Sequence, residues 1–335
     1  MRLARWPFFV AALMCLTASL AHAAGLQLIT VEADKSGSVT AGAVWYPCSE
    51  PTMNLQFGLV WLPATGGCPL PEGKHPLVVI SHGLGGTWYD LHDVAETLAD
   101  AGFIVAAINH PGDSRDSETR HARDFSSFTE RPTDIKRLID YMLGAWPGAA
   151  KIDPARIGFF GFSRGGLTGL ALIGGDPDWQ MLLSHEGCPA TGGPDWCREV
   201  QAQFASRSPL TRDARVKAAV LADPPWGRNY TVTGLQNVTT PVQIWASERG
   251  FPPGEVLPGE VAIIAENLPV KPDYRLVPNS WHLDFVPACG PASAPLAHNS
   301  GSPDPCADAN GFDRDAFHHQ FDAAILAFFQ KHLVD

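Results

Sequence analysis

Gly161-Phe162-Ser163-Arg164-Gly165 sets one serine between two glycines, directly after the apolar run Arg156–Phe160 and shortly before a helical stretch, Leu167–Ile173. A strand that turns sharply into a helix pushes the residue at the turn out above the sheet, and flanking glycines let the backbone pass closely. A hydroxyl presented in this way is a candidate nucleophile if a base and an oxyanion-stabilising loop stand beside it. Ser81-His82-Gly83-Leu84-Gly85-Gly86 follows a second apolar strand, Leu77–Ile80. Its glycines would let backbone N–H groups point at a developing oxyanion, and the expected donors are the N–H groups of Leu84 and Arg164. His82 lies upstream of the serine and reads as a histidine that orders this loop.

The expected base is His282, in Pro278-Asn279-Ser280-Trp281-His282-Leu283-Asp284, a loop that follows the strand Tyr274–Val277. Other histidines also lie late in the chain. His318, His319 and His332 fall in or near a helical pattern, and His298 falls in a Pro-rich tract. An acid must hold the imidazole in one tautomer and stabilise the imidazolium. Asp223 and Glu248 each follow an apolar strand, Ala218–Leu221 and Val242–Trp245, at the strand ends where catalytic groups gather. Spacing alone leaves both open and leans towards Glu248. Asp284 reads as a loop cap. Trp88, Tyr89, Trp226 and Trp281 are either the walls of an apolar acyl site or ordinary packing.

The elements around these residues define a fold class. Residues 26–62 alternate apolar and polar, which predicts two or three antiparallel strands. From Pro76 onward the strands are short continuous apolar runs, as in Leu77–Ile80, Phe103–Ile108, Ile157–Phe160, Ala218–Leu221 and Val242–Trp245. Such runs fit strands buried on both faces. Helical patterns at Leu91–Ala101, Pro132–Trp146 and Ala316–Leu333 stand between or after them. Alternating β and α segments predict an α/β fold, a mostly parallel central sheet with helices on both faces and an antiparallel N-terminal edge. Together with a serine at a strand–turn–helix junction, this is the arrangement of the α/β-hydrolases. Asp176–Arg212 reads as an insertion after the nucleophile helix, within a single domain spanning residues 24–335.

The chain has 335 residues, 45% of them hydrophobic and only 18% charged, with a formal charge of −11. That composition excludes a disordered chain, and the absence of a Lys/Arg cluster speaks against a nucleic-acid partner. Residues 1–23 read as a signal peptide: Arg2 and Arg5, the apolar run Phe8–Leu20, then Ala21-His22-Ala23. The run is too short for a stable membrane span, so a secreted or periplasmic protein is expected. Six cysteines remain after residue 23. Proximity pairs them as Cys48–Cys68, Cys188–Cys197 and Cys289–Cys306, the expectation for an exported chain. There is no CxxC pair, so neither a metal nor another cofactor is expected.

Pro76–His110 resembles platelet-activating-factor acetylhydrolase and bacterial proteins called predicted dienelactone hydrolases, and Gly311-Phe312-Asp313-Arg314-Asp315-Ala316-Phe317-His318 resembles the bacterial group. The resemblance covers about Val44–Leu333 without the insertion. It implies a serine esterase with Ser163 as nucleophile, His282 as base, and Leu84 and Arg164 as oxyanion donors. It also implies Asp223 as the acid, because Leu221-Ala222-Asp223 falls where the acetylhydrolase has its own. Two departures stand out: Arg164 follows the serine where an aromatic or small residue is usual, and true dienelactone hydrolases use cysteine where this chain has Ser163. The implied substrates are short-acyl esters, small molecules or lipids, acetylated or oxidised phospholipids among them. The alternatives are a polyester, cutinase-like or lactone hydrolase, and a non-catalytic binding protein on the same scaffold.

Overall fold

A computed structural model describes residues 24–335 except 52, 58–59, 119–125, 186, 190, 208, 252–258, 290–305 and 309. The expected signal peptide, residues 1–23, and His298 lie outside the described residues.

The five continuous apolar runs and the segment before the His282 loop form six parallel strands: β5 (His75–Ser81), β6 (Ile104–Ile108), β7 (Ile152–Phe162), β8 (Val216–Ala222), β9 (Val242–Ser247) and the edge strand β10 (Asp273–Val277). Their order across the sheet is β6-β5-β7-β8-β9-β10. Side chains alternate between faces with a period of two. In β5, Leu77 and Val79 enter one core while Val78 and Ile80 enter the other. Both faces of β5–β9 are covered, so both must be apolar, which is why these five strands show no polar alternation in the sequence.

The N-terminal edge departs from expectation. It holds four strands, β1 (Ala24–Val31), β2 (Thr40–Tyr46), β3 (Met53–Phe57) and β4 (Val60–Gly66), in the order β6-β2-β1-β4-β3. β2 runs antiparallel to β6 and to β1, but β1 and β4 are parallel, with Ala24 opposite Ala64. β2 already occupies one edge of β1, so the β3–β4 hairpin docks on the other, and β4 meets β1 running the same way.

Helices α1 (His92–Asp100) and α8 (Arg314–Leu333) cover one face through Val94, Leu98, Phe317, Phe321, Phe328 and Phe329. On the other face, α2 (Ser126–Leu143), α3 (Arg164–Ile173) and α7 (Glu260–Asn267) contribute Ile135, Leu138, Leu170, Val261 and Ile264. The sequence pattern starts the second helix at Pro132, yet α2 begins at Ser126 and carries Pro132 inside it. The extra turns bury Ser127 and Arg131, whose contacts bear on the site described below. The segment after α3 forms α4 (Trp179–His185) and α5 (Asp195–Ser206), with a small core of Leu182, Leu183 and Phe204 around the Cys188–Cys197 bridge. Cys48 pairs with Cys68 and Cys289 with Cys306, at Cα–Cα distances of 6.0 and 5.3 Å. A four-residue helix, α6 (Val232–Leu235), precedes β9. No helix among the described residues is long and apolar enough to cross a membrane.

Phe321 is fully buried and meets the rings of Phe160, Trp245, Phe285 and Phe317. Phe321→Ala should therefore lower stability by about 3–5 kcal/mol, read as a lower midpoint in urea with an unchanged slope.

Candidate active site

In a parallel sheet the carboxyl ends of the strands share one edge, and the chemistry-bearing residues of this chain gather there. β7 ends at Phe162, and Ser163 turns the chain into α3 with φ 54° and ψ −121°. That is the left-handed side of the map for a residue with a Cβ, a strain of about 1–3 kcal/mol that surrounding contacts must hold. Two glycines make the turn possible. A Cβ on Gly165 would lie 2.0 Å from the Ser81 carbonyl oxygen, and one on Gly161 would lie 2.3 Å from the Gly165 oxygen. The Ser163 N–H donates to the Ala222 carbonyl at 2.8 Å, pinning the turn to the end of β8.

Ser163 Oγ lies 2.8 Å from His282 Nε2, and His282 Nδ1 lies 2.6 Å from Asp223 Oδ2. The His282 ring stacks on Phe162 at 4.7 Å, and the backbone N–H of His282 donates to the Gly250 carbonyl. Asp223 is fully buried and also accepts from the Ser247 N–H and the Ser247 hydroxyl, both at 2.7 Å. Glu248 takes no part in this row. It is exposed, and its carboxylate accepts from the Asn279 N–H at 2.7 Å, bracing the loop that precedes His282. Asp284 caps the same loop by accepting from the Trp281 N–H, and Arg314 pairs with it.

The loop 82–86 runs beside this row. A Cβ on Gly83 would lie 3.4 Å from the Ser163 Cβ. The Gly85 N–H donates to Asp113 and the Gly86 N–H to the Gly83 carbonyl, while no group among the described residues accepts from the Leu84 N–H. Arg164 is the first residue of α3, at the positive end of the helix dipole. Arg164 thus directly follows the serine, and Leu84 directly follows the glycine that lies against it.

A buried polar network fixes that loop. The His110 N–H donates to His82 Nε2, so the His82 proton sits on Nδ1, which faces the Gly83 carbonyl at 2.7 Å. Burial first, then the nearby Arg131 and His110, holds the His82 pKa well below the usual imidazole range. Arg131 donates to the His82 carbonyl and lies 3.4 Å from Asp113 Oδ2, with Arg164 on the same carboxylate at 3.8 Å. Ser81, His110 and Asp134 make a second serine–histidine–aspartate row, at 2.9 and 3.0 Å, but Ser81 and His110 are fully buried. It braces the end of β5 and has no access to a substrate. Burial pushes the Asp134 carboxyl up to about 7 against the opposing pull of Arg137 and Arg131.

The aromatic candidates separate. Trp88 is only 7% exposed and packs on Trp45, Phe57 and Tyr89, so it is a core residue and not an open wall of the site. Trp226 takes a left-handed backbone (φ 56°) and packs beside Phe128 with ring centroids 5.5 Å apart, and the Arg164 guanidinium lies against both rings at 5.7 and 5.3 Å. Trp281 is half-buried beside His282. His318 and His332 lie on α8, bonded to Asp93 and packed on Phe328 respectively, and His319 is exposed. Sequence reasoning missed Ser247, Asp113, Arg131 and His110. Only Ser247 left a signal, as the neighbour of Glu248 at a strand end.

A family model described as serine aminopeptidase, S33, matches residues 73–240, half of the chain, from β5 to the segment before β9. The chain belongs to that hydrolase family. Among curated relatives, this hydrolase is 31% identical over 121 residues to a putative esterase, NocK, of Nocardia uniformis subsp. tsuyamanensis, covering 35% of this chain and 34% of that protein. It is 44% identical over 76 residues to a platelet-activating factor acetylhydrolase of Canis lupus familiaris, covering 22% of this chain and 17% of that protein. The hydrolase thus spans about a third or less of the length of these relatives. Among solved structures, a ferulic acid esterase from Streptomyces cinnamoneus superimposes with a TM-score of 0.60 at 18% identity, over 95% of this chain and 91% of that one. That likeness establishes the α/β-hydrolase fold.

The Asp113 carboxyl is held down at about 2 chiefly by the Arg131 and Arg164 guanidiniums, against its burial. A depressed acid adds stability that is complete above its unfolded value near 3.8 and is lost as pH falls through the folded value. In this hydrolase, wild type should therefore lose about 2 kcal/mol between pH 5 and pH 2 that Asp113→Asn does not lose. Urea midpoints measured along that pH series check the difference.

Proposed function

We propose that the chain is a cofactor-independent carboxylester hydrolase exported from the cytoplasm. The observation that carries this reading is the continuous hydrogen-bonded row from Ser163 Oγ through His282 to Asp223. Ser163 attacks the ester carbonyl while His282 Nε2 takes the hydroxyl proton. Asp223 keeps the other ring proton on Nδ1 and stabilises the imidazolium that forms. The N–H groups of Leu84 and Arg164 receive the oxyanion. His282 then protonates the leaving alcohol, and a water activated by the same ring releases the acyl group.

The substrates we assign are short-acyl esters, including acetylated or oxidised phospholipids. The acetylhydrolase relatives support this choice. So do the aromatic side chains Trp226, Phe128 and Phe251 that stand near Arg164 and His282. Export is supported by the leader-like residues 1–23 and by three disulfides, which persist in oxidising compartments. The single domain is taken to run from residue 24, with the 176–212 segment inserted between α3 and β8.

A fluorophosphonate probe should label wild type and leave Ser163→Ala unlabelled, and p-nitrophenyl acetate should be cleaved faster than long-chain homologues. Failure of wild type to label, or equal labelling of the alanine variant, would reject the esterase reading. To assign the acid, Asp223→Asn should lower kcat by about ten-thousand-fold, whereas Glu248→Gln should keep kcat within about a factor of ten of wild type. The reverse order would move the acid to Glu248.

A further inference from the structure

A second group of ligand-type side chains lies between α1 and α8, apart from Ser163. Asp93 stands in the first turn of α1. His318 and Asp322 are one turn apart on α8, so they share a face. One ligand atom from each of the three lies within 4.8 Å of the others. His318 and Asp322 are 8% and 9% exposed. Oδ1 of Asp322 and Oδ1 of Asp93 are sealed from solvent and have no hydrogen-bond partner among the described residues.

The protons of His318 sharpen the point. Its Nε2 lies 2.9 Å from the Asp284 backbone oxygen. A carbonyl can only accept, so Nε2 carries a proton. In the neutral ring Nδ1 is then a bare lone pair, yet it faces Asp93 Oδ2 at 2.5 Å. Two acceptors in that position repel unless positive charge lies between them. A second ring proton would relieve that contact but would leave the two orphaned oxygens as they are. A cation shared by all three side chains relieves everything at once. The ring is already oriented as a metal ligand is, with its far N–H held by a backbone carbonyl.

We propose that Asp93, His318 and Asp322 form a binding site for a divalent transition-metal ion, Zn2+ foremost. One imidazole and two carboxylates suit Zn2+ better than Ca2+, which prefers an all-oxygen set. The ion would tie α1 to α8. Through His318 it would also steady the Asp284 carbonyl, which lies in the same short turn, His282–Phe285, as His282. Its role is structural, and it does not depend on the esterase reading.

The test uses untagged full-length protein, stripped with a chelator and then dialysed against Zn2+, Mn2+ or Ca2+. Elemental analysis should find about one zinc per chain, and the thermal midpoint should rise with zinc concentration in wild type and equally in Ser163→Ala. The near-isosteric variants Asp322→Asn and His318→Gln should lose both the bound zinc and the midpoint shift. If either variant fails to fold, X-ray absorption on zinc-loaded wild type should show one imidazole among oxygen ligands. Wild type that retains no zinc and shows no midpoint shift would overturn the site, as would variants that bind like wild type or a zinc shell lacking imidazole.

Discussion

A carboxylate with no exposure to water sits at the end of β8, and its charge is tolerable only because three donors reach it. The Ser247 N–H, the Ser247 hydroxyl and the His282 ring surround Asp223. An isolated buried charge would cost far more than folding can supply. The register of β8 beside β9, the turn that carries His282 and the tautomer of that ring are therefore all constrained by one side chain. The same arrangement leaves Nε2 of His282 as the acceptor facing Ser163. Stability and the readiness of the serine rest on the same few hydrogen bonds.

Much of this was legible in the sequence, for identifiable reasons. The serine turn announces itself because close backbone contacts demand glycine at 161 and 165. Five of the six parallel strands announce themselves because burial on both faces removes polar alternation; β10, at the exposed edge, does not. The acid was different. Asp223 and Glu248 both end strands, and spacing leaned towards Glu248. What separates them is depth: Asp223 points inward to His282 and Ser247, while Glu248 points to the surface and holds Asn279. Only the three-dimensional path of β9 and β10 distinguishes the two. Resemblance to a known family favoured the residue that the geometry places beside the histidine.

The network under the oxyanion loop could not be read in advance. His110 and Asp113 share the turn after β6 while Arg131 lies on α2, and their partners at Gly85 and His82 lie 28 to 49 residues away. No local period marks such pairs. Two further points have local causes. Pro132 suggested a helix start because proline suits a first turn, but α2 begins at Ser126 and carries the proline inside it. Trp88 was left open between an acyl-site wall and ordinary packing, and its ring packs against Trp45 and Phe57.

The Cys289–Cys306 bridge ties the chain just after the His282 turn to the chain just before α8. Both ends of the intervening tract are thereby moored. Lengthening a closed loop costs little entropy, since the penalty grows only with the logarithm of its length. The number of residues between the two cysteines therefore weighs little on the folded state, and the bridge uncouples that length from the placement of the His282 turn.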